Sequence, residues 1–355
     1  MEPPSASDAT IAVLSIIFCL IVTVGVIGNG LVVLVVLLDV KMRQSVTNLF
    51  IMNLAIADLL IMLFGVPEIV QFVINRGWIL EPFLCKMNRF ILVVSLYTSV
   101  LSLVCLCIER FVAIVFPIKA HIVCTRKKIM IVIACIWPLS IACGLPTLIF
   151  NQVVPVMPNH PVSLCRIMFS RDRSEHQKYF MVFKYMESLL FYFLPLVVQV
   201  ILYAIIGRRL YASTEKLHAQ FQMRPDTNCR SGRATDTIRA RKGVVKMLVA
   251  SVLIYFTSYS PHQIHFLYNA FSNSPLPEHW EFLVFVMIIT HLNSAANPIL
   301  YSIFSQNFRR NFKRCLCFVC YRLERRRYRR TRFDSFDSKG VSRRSSTSKT
   351  TTSRV

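Results

Sequence analysis

The sequence predicts an all-α membrane protein: a seven-transmembrane helix bundle with a short amphipathic cytoplasmic helix behind it. Three observations carry that expectation. Of 355 residues, 54% are hydrophobic and 17% charged, and the mean hydropathy is +0.52, too apolar for one soluble domain of this length. The charges crowd into short stretches that separate seven long apolar runs. Each run is long enough to cross a hydrocarbon core of ~30 Å at a rise of ~1.5 Å per residue.

The runs cover Ile11 to Leu38, Val46 to Ile74, Phe83 to Val115, Ile129 to Phe150, Tyr179 to Leu210, Val244 to Phe271, and Phe282 to Phe304. Together, residues 11–304 are expected to form the bundle. Residues 1–10 hold Glu2 and Asp8 and no Lys or Arg. No cleavable leader is expected there, and the first span should serve as its own insertion signal. The connecting loops are short except for Asn151–Lys178 and Arg208–Lys242. Within the second of these, Leu217 to Arg241 is polar and lacks apolar periodicity, which predicts a mobile loop.

Basic residues in the loops set the expected orientation. Lys41 and Arg43 follow the first run, Lys119, Arg126, Lys127 and Lys128 the third, and a dense set the fifth. The loop after the sixth run carries Glu278 and Glu281 instead. The amino terminus is therefore expected outside, the carboxyl terminus inside, at the plasma membrane. The net charge of +23 would suggest nucleic acid in a soluble protein. Here the bases sit beside apolar spans, where they meet anionic lipid, so membrane lipid and no nucleic acid is the expected partner. Residues 305–320 form an amphipathic basic stretch suited to the inner leaflet. Residues 321–355, rich in Arg, Ser and Thr, are expected to be disordered.

Polar groups inside apolar spans are expensive and need an account. Asn29 lies in the first run and Asp58 in the second. Ser99 in the third and Asn293, Ser294 and Asn297 in the seventh are candidate neighbours for the Asp58 carboxylate. Hydroxyls and amides around one carboxylate suit a small hard cation; an interhelical polar network with water is the alternative. Asn297-Pro298-Ile299-Leu300-Tyr301 places a proline bend beside groups that can satisfy the freed carbonyl. Glu109-Arg110 closes the third run, either as a membrane-edge ion pair or as a latch on the inner end of the bundle. Trp137-Pro138, Pro195 with Tyr203, and Ser258-Tyr259-Ser260-Pro261 add further aromatic and proline positions.

Taken in order along seven runs, Asn29, Asp58, Cys85, Glu109-Arg110-Phe111, Trp137, Pro195, Pro261 and the Asn297 to Tyr301 motif resemble the rhodopsin-like G-protein-coupled receptors. The resemblance covers Ile11 to Cys320, and within it the chain looks similar to the neuropeptide receptors of the neuromedin U, thyrotropin-releasing-hormone and ghrelin group. Two departures stand out. Ser258 and Tyr259 replace the usual Cys and Trp before Pro261, and no N-x-Ser/Thr acceptor occurs.

The resemblance implies a Cys85–Cys165 disulfide and a sodium ion at Asp58 as the sole cofactor. It also implies an activation switch made of Glu109, Arg110, Tyr203, Tyr259, Pro261, Pro298 and Tyr301. The third run carries Leu92 where amine receptors have an Asp, and His291 stands where opsins have a lysine, so neither a biogenic amine nor retinal is expected. Glu68, Arg89, Lys184, Glu187, His262, Gln263 and His291 fall a few turns below the outer ends of their spans. A short peptide with a basic residue facing Glu68 or Glu187 fits that set; internal pairing, such as Glu68 with Arg89, is the alternative. The expected partner inside is a heterotrimeric G protein, with arrestin and a receptor kinase by family analogy. Cys315, Cys317 and Cys320 are candidates for palmitoylation, and Ser353-Arg354-Val355 resembles a PDZ-domain ligand. A small non-peptide ligand, and a transporter, are the competing readings. No internal repeat supports a transporter. No enzyme is expected: Asp58 is the only carboxylate deep in a span, leaving only His262 and His291 to sustain a proteolytic reading.

Overall fold

A computed structural model describes residues 7–73, 77–155, 162–223, 228–271, 280–315 and 317; side chains are described for all of these except 72, 213–223 and 228–241. The chain divides into two units, Met1–Phe308 and Arg309–Val355. In the second, residues 309–315 are helical, with Arg309, Arg310, Lys313 and Arg314 exposed, Cys315 half-buried, and Cys317 exposed. Cys320 and the residues beyond it, including the PDZ-like end, lie outside the described residues.

Among its described residues, the first unit contains seven helices long and apolar enough to cross a membrane. They are α1 (Asp8–Leu38), α3 (Val46–Val73), α4 (Pro82–Val115), α6 (Arg126–Phe150), the α7–α8 pair (Arg173–Ser188 and Leu194–Met223) joined by a π-turn over Leu189–Phe193, α9 (Asn228–Phe271) and α10 (Trp280–Phe304). Two short helices, α2 (Val40–Gln44) and α5 (Pro117–Val123), fill the turns after the first and third spans. Their starts have local causes. Asp39 caps α2 by accepting from the Met42 N–H at 3.0 Å, and Pro117 opens α5 where a missing N–H costs nothing.

The burial pattern is that of a membrane protein. Large apolar side chains such as Ile16, Leu20, Ile27, Val200, Ile205 and Leu253 face outward, while Asn29, Asn53, Asp58, Ser99, Ser102, Ser294 and Asn297 are buried. With lipid in place of water outside, polar groups gather where other helices can bond them. α4 is the central element, packing on α3, α6, α8 and α9.

Three features differ from the sequence expectation. The fifth span begins at Arg173, ahead of its apolar run, because Asp172 caps it, accepting from the Glu175 N–H at 2.9 Å. Leu217 to Arg241, expected as a loop, is helical up to Met223 and again from Asn228. Lys, Arg, Ala, Gln and Glu continue a helix by propensity alone, without an apolar face to mark it. The loop after α6 contains a hairpin, β1 (Asn151–Pro155) against β2 (Ser163–Ile167), with Val153 opposite Cys165. Gly77, at φ +68°, lets the Trp78 N–H donate to the Ser163 carbonyl at 2.7 Å, and the space a Cβ would need there is filled by that same carbonyl.

Candidate functional site

Polar side chains collect at both ends of the bundle and in its middle. At one end, Cys85 at the start of α4 is disulfide-bonded to Cys165 of β2, as the resemblance implied. The Gln71 side-chain oxygen accepts from the Cys165 N–H at 3.3 Å, and Arg89 Nη2 donates to the Cys165 carbonyl at 3.2 Å. The hairpin is therefore tied to both α3 and α4.

The charged set expected at this end separates into two groups. In the first, Arg89 Nη1 pairs with Glu68 Oε1 at 3.0 Å, and Glu68 is 14% exposed. His291 is buried nearby. Its Nδ1 bonds the Met287 carbonyl at 2.8 Å, its ring meets Phe18 edge-on at 5.8 Å, and its Nε2 has no partner among the described residues. Gly65 makes room for it, since a Cβ there would overlap Nε2. In the second group, Lys184 Nζ pairs with Glu187 Oε2 at 2.6 Å, one turn apart on α7, and Tyr97 of α4 donates to Glu187 Oε1 at 2.9 Å. His262 of α9 faces this pair, and beside it Ser188 donates to Gln263 Oε1 at 2.7 Å. Both carboxylates thus have a cation within the chain. Tyr97 and Gln71 are not in the expected set. The signal for Tyr97 was a phenol in an otherwise uncharged run; nothing local marked Gln71.

In the middle, Asp58 Oδ2 accepts from Asn297 Nδ2 at 2.8 Å, and the hydroxyls of Ser99 and Ser294 stand beside the carboxyl. Asn293 is buried but does not bond it. Asp58 Oδ1 and Ser294 Oγ are buried without a partner among the described residues. Oxygen donors around one carboxylate, two of them unused, fit a small hard cation. Pro298 cannot donate to the carbonyl four residues back, that of Ser294; Asn29 Nδ2 donates there instead at 3.1 Å, and to the Gly25 carbonyl at 2.9 Å. Asn53 links three spans, donating to Ser102 Oγ at 2.8 Å and accepting from Trp137 Nε1 at 2.9 Å.

At the far end, Arg110 pairs with Glu109 and also bonds Thr47 Oγ1, which donates to Glu109 Oε2 at 3.3 Å. Thr47 makes the pair a three-membered polar cluster between α3 and α4. The buried hydroxyl of Tyr203 lies beside the Cys107 thiol, and that of Tyr301 carries no hydrogen bond among the described residues. Pro261 lies inside α9, nearly two turns beyond Tyr255, whose ring packs against that of Tyr259 at 4.7 Å.

Residues 28–301 match the family described as "7 transmembrane receptor (rhodopsin family)". Neuropeptide receptor 15 of Caenorhabditis elegans is 32% identical over 303 residues, covering 83% of this chain and 87% of the relative. The thyrotropin-releasing hormone receptor of Mus musculus is 29% identical, covering 89% and 82%. The allatostatin-A receptor of Bombyx mori is 32% identical, covering 86% and 79%.

Proposed function

Because the chain belongs to the rhodopsin family of seven-transmembrane receptors, we infer that it is a receptor switched by an extracellular peptide and read from inside by a heterotrimeric G protein. The observation that carries the peptide reading is the set of relatives, named for a neuropeptide, thyrotropin-releasing hormone and allatostatin, each matched over most of its length. The amino terminus and the disulfide end face outward at the plasma membrane, and the Glu109–Arg110 end faces the cytosol, as the basic residues in the loops require.

The ligand engages the two charged groups at the disulfide end. A basic residue of the peptide would compete with Arg89 for Glu68 or with Lys184 for Glu187, exchanging one ion pair for another with little change in desolvation. A ligand that prefers one packing of the helices shifts the population toward it. Arg110, released from Glu109 and Thr47, then leaves a cleft between helix ends that accepts a partner helix. Sodium is proposed at Asp58, held by its carboxylate with Ser99 and Ser294. Bound there, it would supply positive charge to an otherwise uncompensated buried carboxylate and join α3, α4 and α10. Arrestin and a receptor kinase are proposed as further cytosolic partners, Cys315 and Cys317 as acylation sites, and a PDZ-domain protein for the carboxyl terminus.

A peptide-library screen on cells expressing the chain, read by calcium and cAMP, tests the reading. A concentration-dependent response to at least one peptide, lost in Arg110→Ala, is expected. Response to small amines or lipids and to no peptide would overturn it.

A further inference from the structure

The segment that leads from β2 to the fifth span is fastened by its backbone. The Met168 N–H donates to the Phe150 carbonyl, at the end of α6, at 2.9 Å. The next N–H, that of Phe169, donates to His176 Nδ1 in the first turns of α7 at 3.2 Å. Ser170 donates to Glu175 Oε2 at 2.9 Å and accepts from the Asp172 N–H at 3.2 Å. His176 is therefore the α7 side chain that takes a backbone N–H of this segment.

That bond has a chemical condition. A neutral imidazole has one nitrogen that donates and one that accepts, whereas an imidazolium has two donors. Nδ1 accepts here, so the single proton of the ring lies on Nε2. A proton on Nδ1 would set two N–H groups against each other and leave the Phe169 N–H without its acceptor.

The ring is also packed. Phe169 lies 6.3 Å from it at 29°, and Phe180 lies 5.8 Å from it. Phe169 packs in turn on Phe150 at 4.8 Å and on Phe183 at 5.6 Å. Lys184 Nζ stands 5.9 Å from the centre of the Phe183 ring and pairs with Glu187. One imidazole thus joins the outer loop to the aromatic group beside the second charged pair. The charged side chains around it are Arg171 and Asp172 of the loop, Arg173, Glu175 and Lys178 of α7, and Lys86 of α4, which donates to the Ile149 carbonyl at 3.1 Å. Asp172 and Glu175 are engaged elsewhere, as the cap of α7 and with Ser170. α6 ends on Leu148, Ile149 and Phe150, which carry no charge. Among the described residues no ion pair includes His176.

We propose that His176 is a proton-binding switch: with Nδ1 unprotonated it clips the outer loop to α7, and a proton on Nδ1 opens the clip and weakens the response to peptide through Phe169, Phe183 and Lys184. The bond is complete above the range in which an imidazole exchanges its proton, roughly pH 5 to 8, and is lost as pH falls through it. The clip rests on the receptor reading only for its exposure to extracellular pH and for its effect on signalling.

The full chain in membranes, without ligand, tests the clip. Amide hydrogen exchange over residues 167–172 is measured at about pH 7.5 and about pH 5.5, on either side of an imidazole's ordinary value, and divided by the intrinsic exchange rate at each pH. Protection in the wild type is expected to fall about fivefold at the lower pH, the ratio that one net hydrogen bond supports. His176→Asn places an amide oxygen where Nδ1 stands, and should keep its protection at both pH values. His176→Phe keeps a ring and removes the acceptor, and should be weakly protected at both. Equal wild-type protection at the two pH values overturns the clip, and so does a pH-dependent loss that persists in His176→Asn. The wild-type pair of measurements decides the matter alone if a variant fails to reach the membrane. For signalling, the probe is a histidine-free peptide from the library screen, applied to intact cells at the same two pH values. Its potency should fall at the lower pH in the wild type and by less in His176→Asn, so that the difference excludes His262, His265 and His291. An equal fall in both chains overturns the effect on signalling and leaves the clip standing. A wild-type chain that answers no peptide at either pH overturns the receptor reading instead, and amide exchange still decides the clip.

Discussion

Arg110 has more than one tie to break. Its guanidinium bonds both the Glu109 carboxylate and the Thr47 hydroxyl, so it is held across two spans by charge-assisted bonds. Arg110→Ala removes the group that would leave the latch and meet the partner. Ligand binding is expected to persist in this variant and nucleotide exchange to vanish, checked by radioligand binding and guanine-nucleotide exchange on the same membranes; exchange at the wild-type rate would refute the latch. Reversing the charge of Glu187 leaves Lys184 facing a like charge and Tyr97 without its acceptor. Glu187→Lys should lower peptide potency by about tenfold or more, read from concentration–response curves; unchanged potency would remove Glu187 from the ligand site. The Glu109–Arg110 pair is visible in the sequence because its members are neighbours. Thr47 is not, because it stands 62 residues away from Glu109 and a lone threonine at a helix end carries no charge or spacing that would single it out.

At the scale of elements, the bundle depends on backbones approaching closely where a side chain is missing. Gly65 of α3 faces the His291 ring of α10, and a methyl group there would collide with Nε2. Gly65→Ala should cost about 1–3 kcal/mol by overpacking, measured as a lowered thermal midpoint in detergent. His291→Ala in the same chain should return most of it, since the two changes share one contact. Failure of the second change to restore any stability would show that the glycine serves the backbone of α3 rather than the histidine. The proline positions teach a related lesson. Pro298 strands the carbonyl of Ser294, which any reader of the sequence can deduce, and the donor is then to be sought among polar residues. That it is Asn29, 265 positions earlier, follows only from α1 lying against α10. The helical continuation of α8 to Met223 and of α9 from Asn228 was hidden for the opposite reason. Apolar periodicity marks a helix that packs, and these turns carry helix-forming polar residues with no such stripe.

At the scale of the whole molecule, the surrounding solvent decides the fold. A chain with outward-facing Ile16, Leu20, Ile27, Val200 and Leu253 and inward-facing Asn29, Asp58 and Asn297 is folded for hydrocarbon. A tag at the amino terminus should be reachable by antibody on intact cells, and one at the carboxyl terminus only after permeabilisation; both on one side would rule out seven spans. The sequence by itself determined the number of spans, their order, and the positions where proline interrupts a helix, because hydropathy and local backbone chemistry act over a few turns. The tertiary structure alone decided which charges are already paired, that the expected ligand set divides into a Glu68–Arg89 and a Lys184–Glu187 group, and that Tyr97 ties the second of these to α4. Those relations depend on how seven helices are rotated and set against one another, and an apolar run of given length is compatible with many rotations until its neighbours select one.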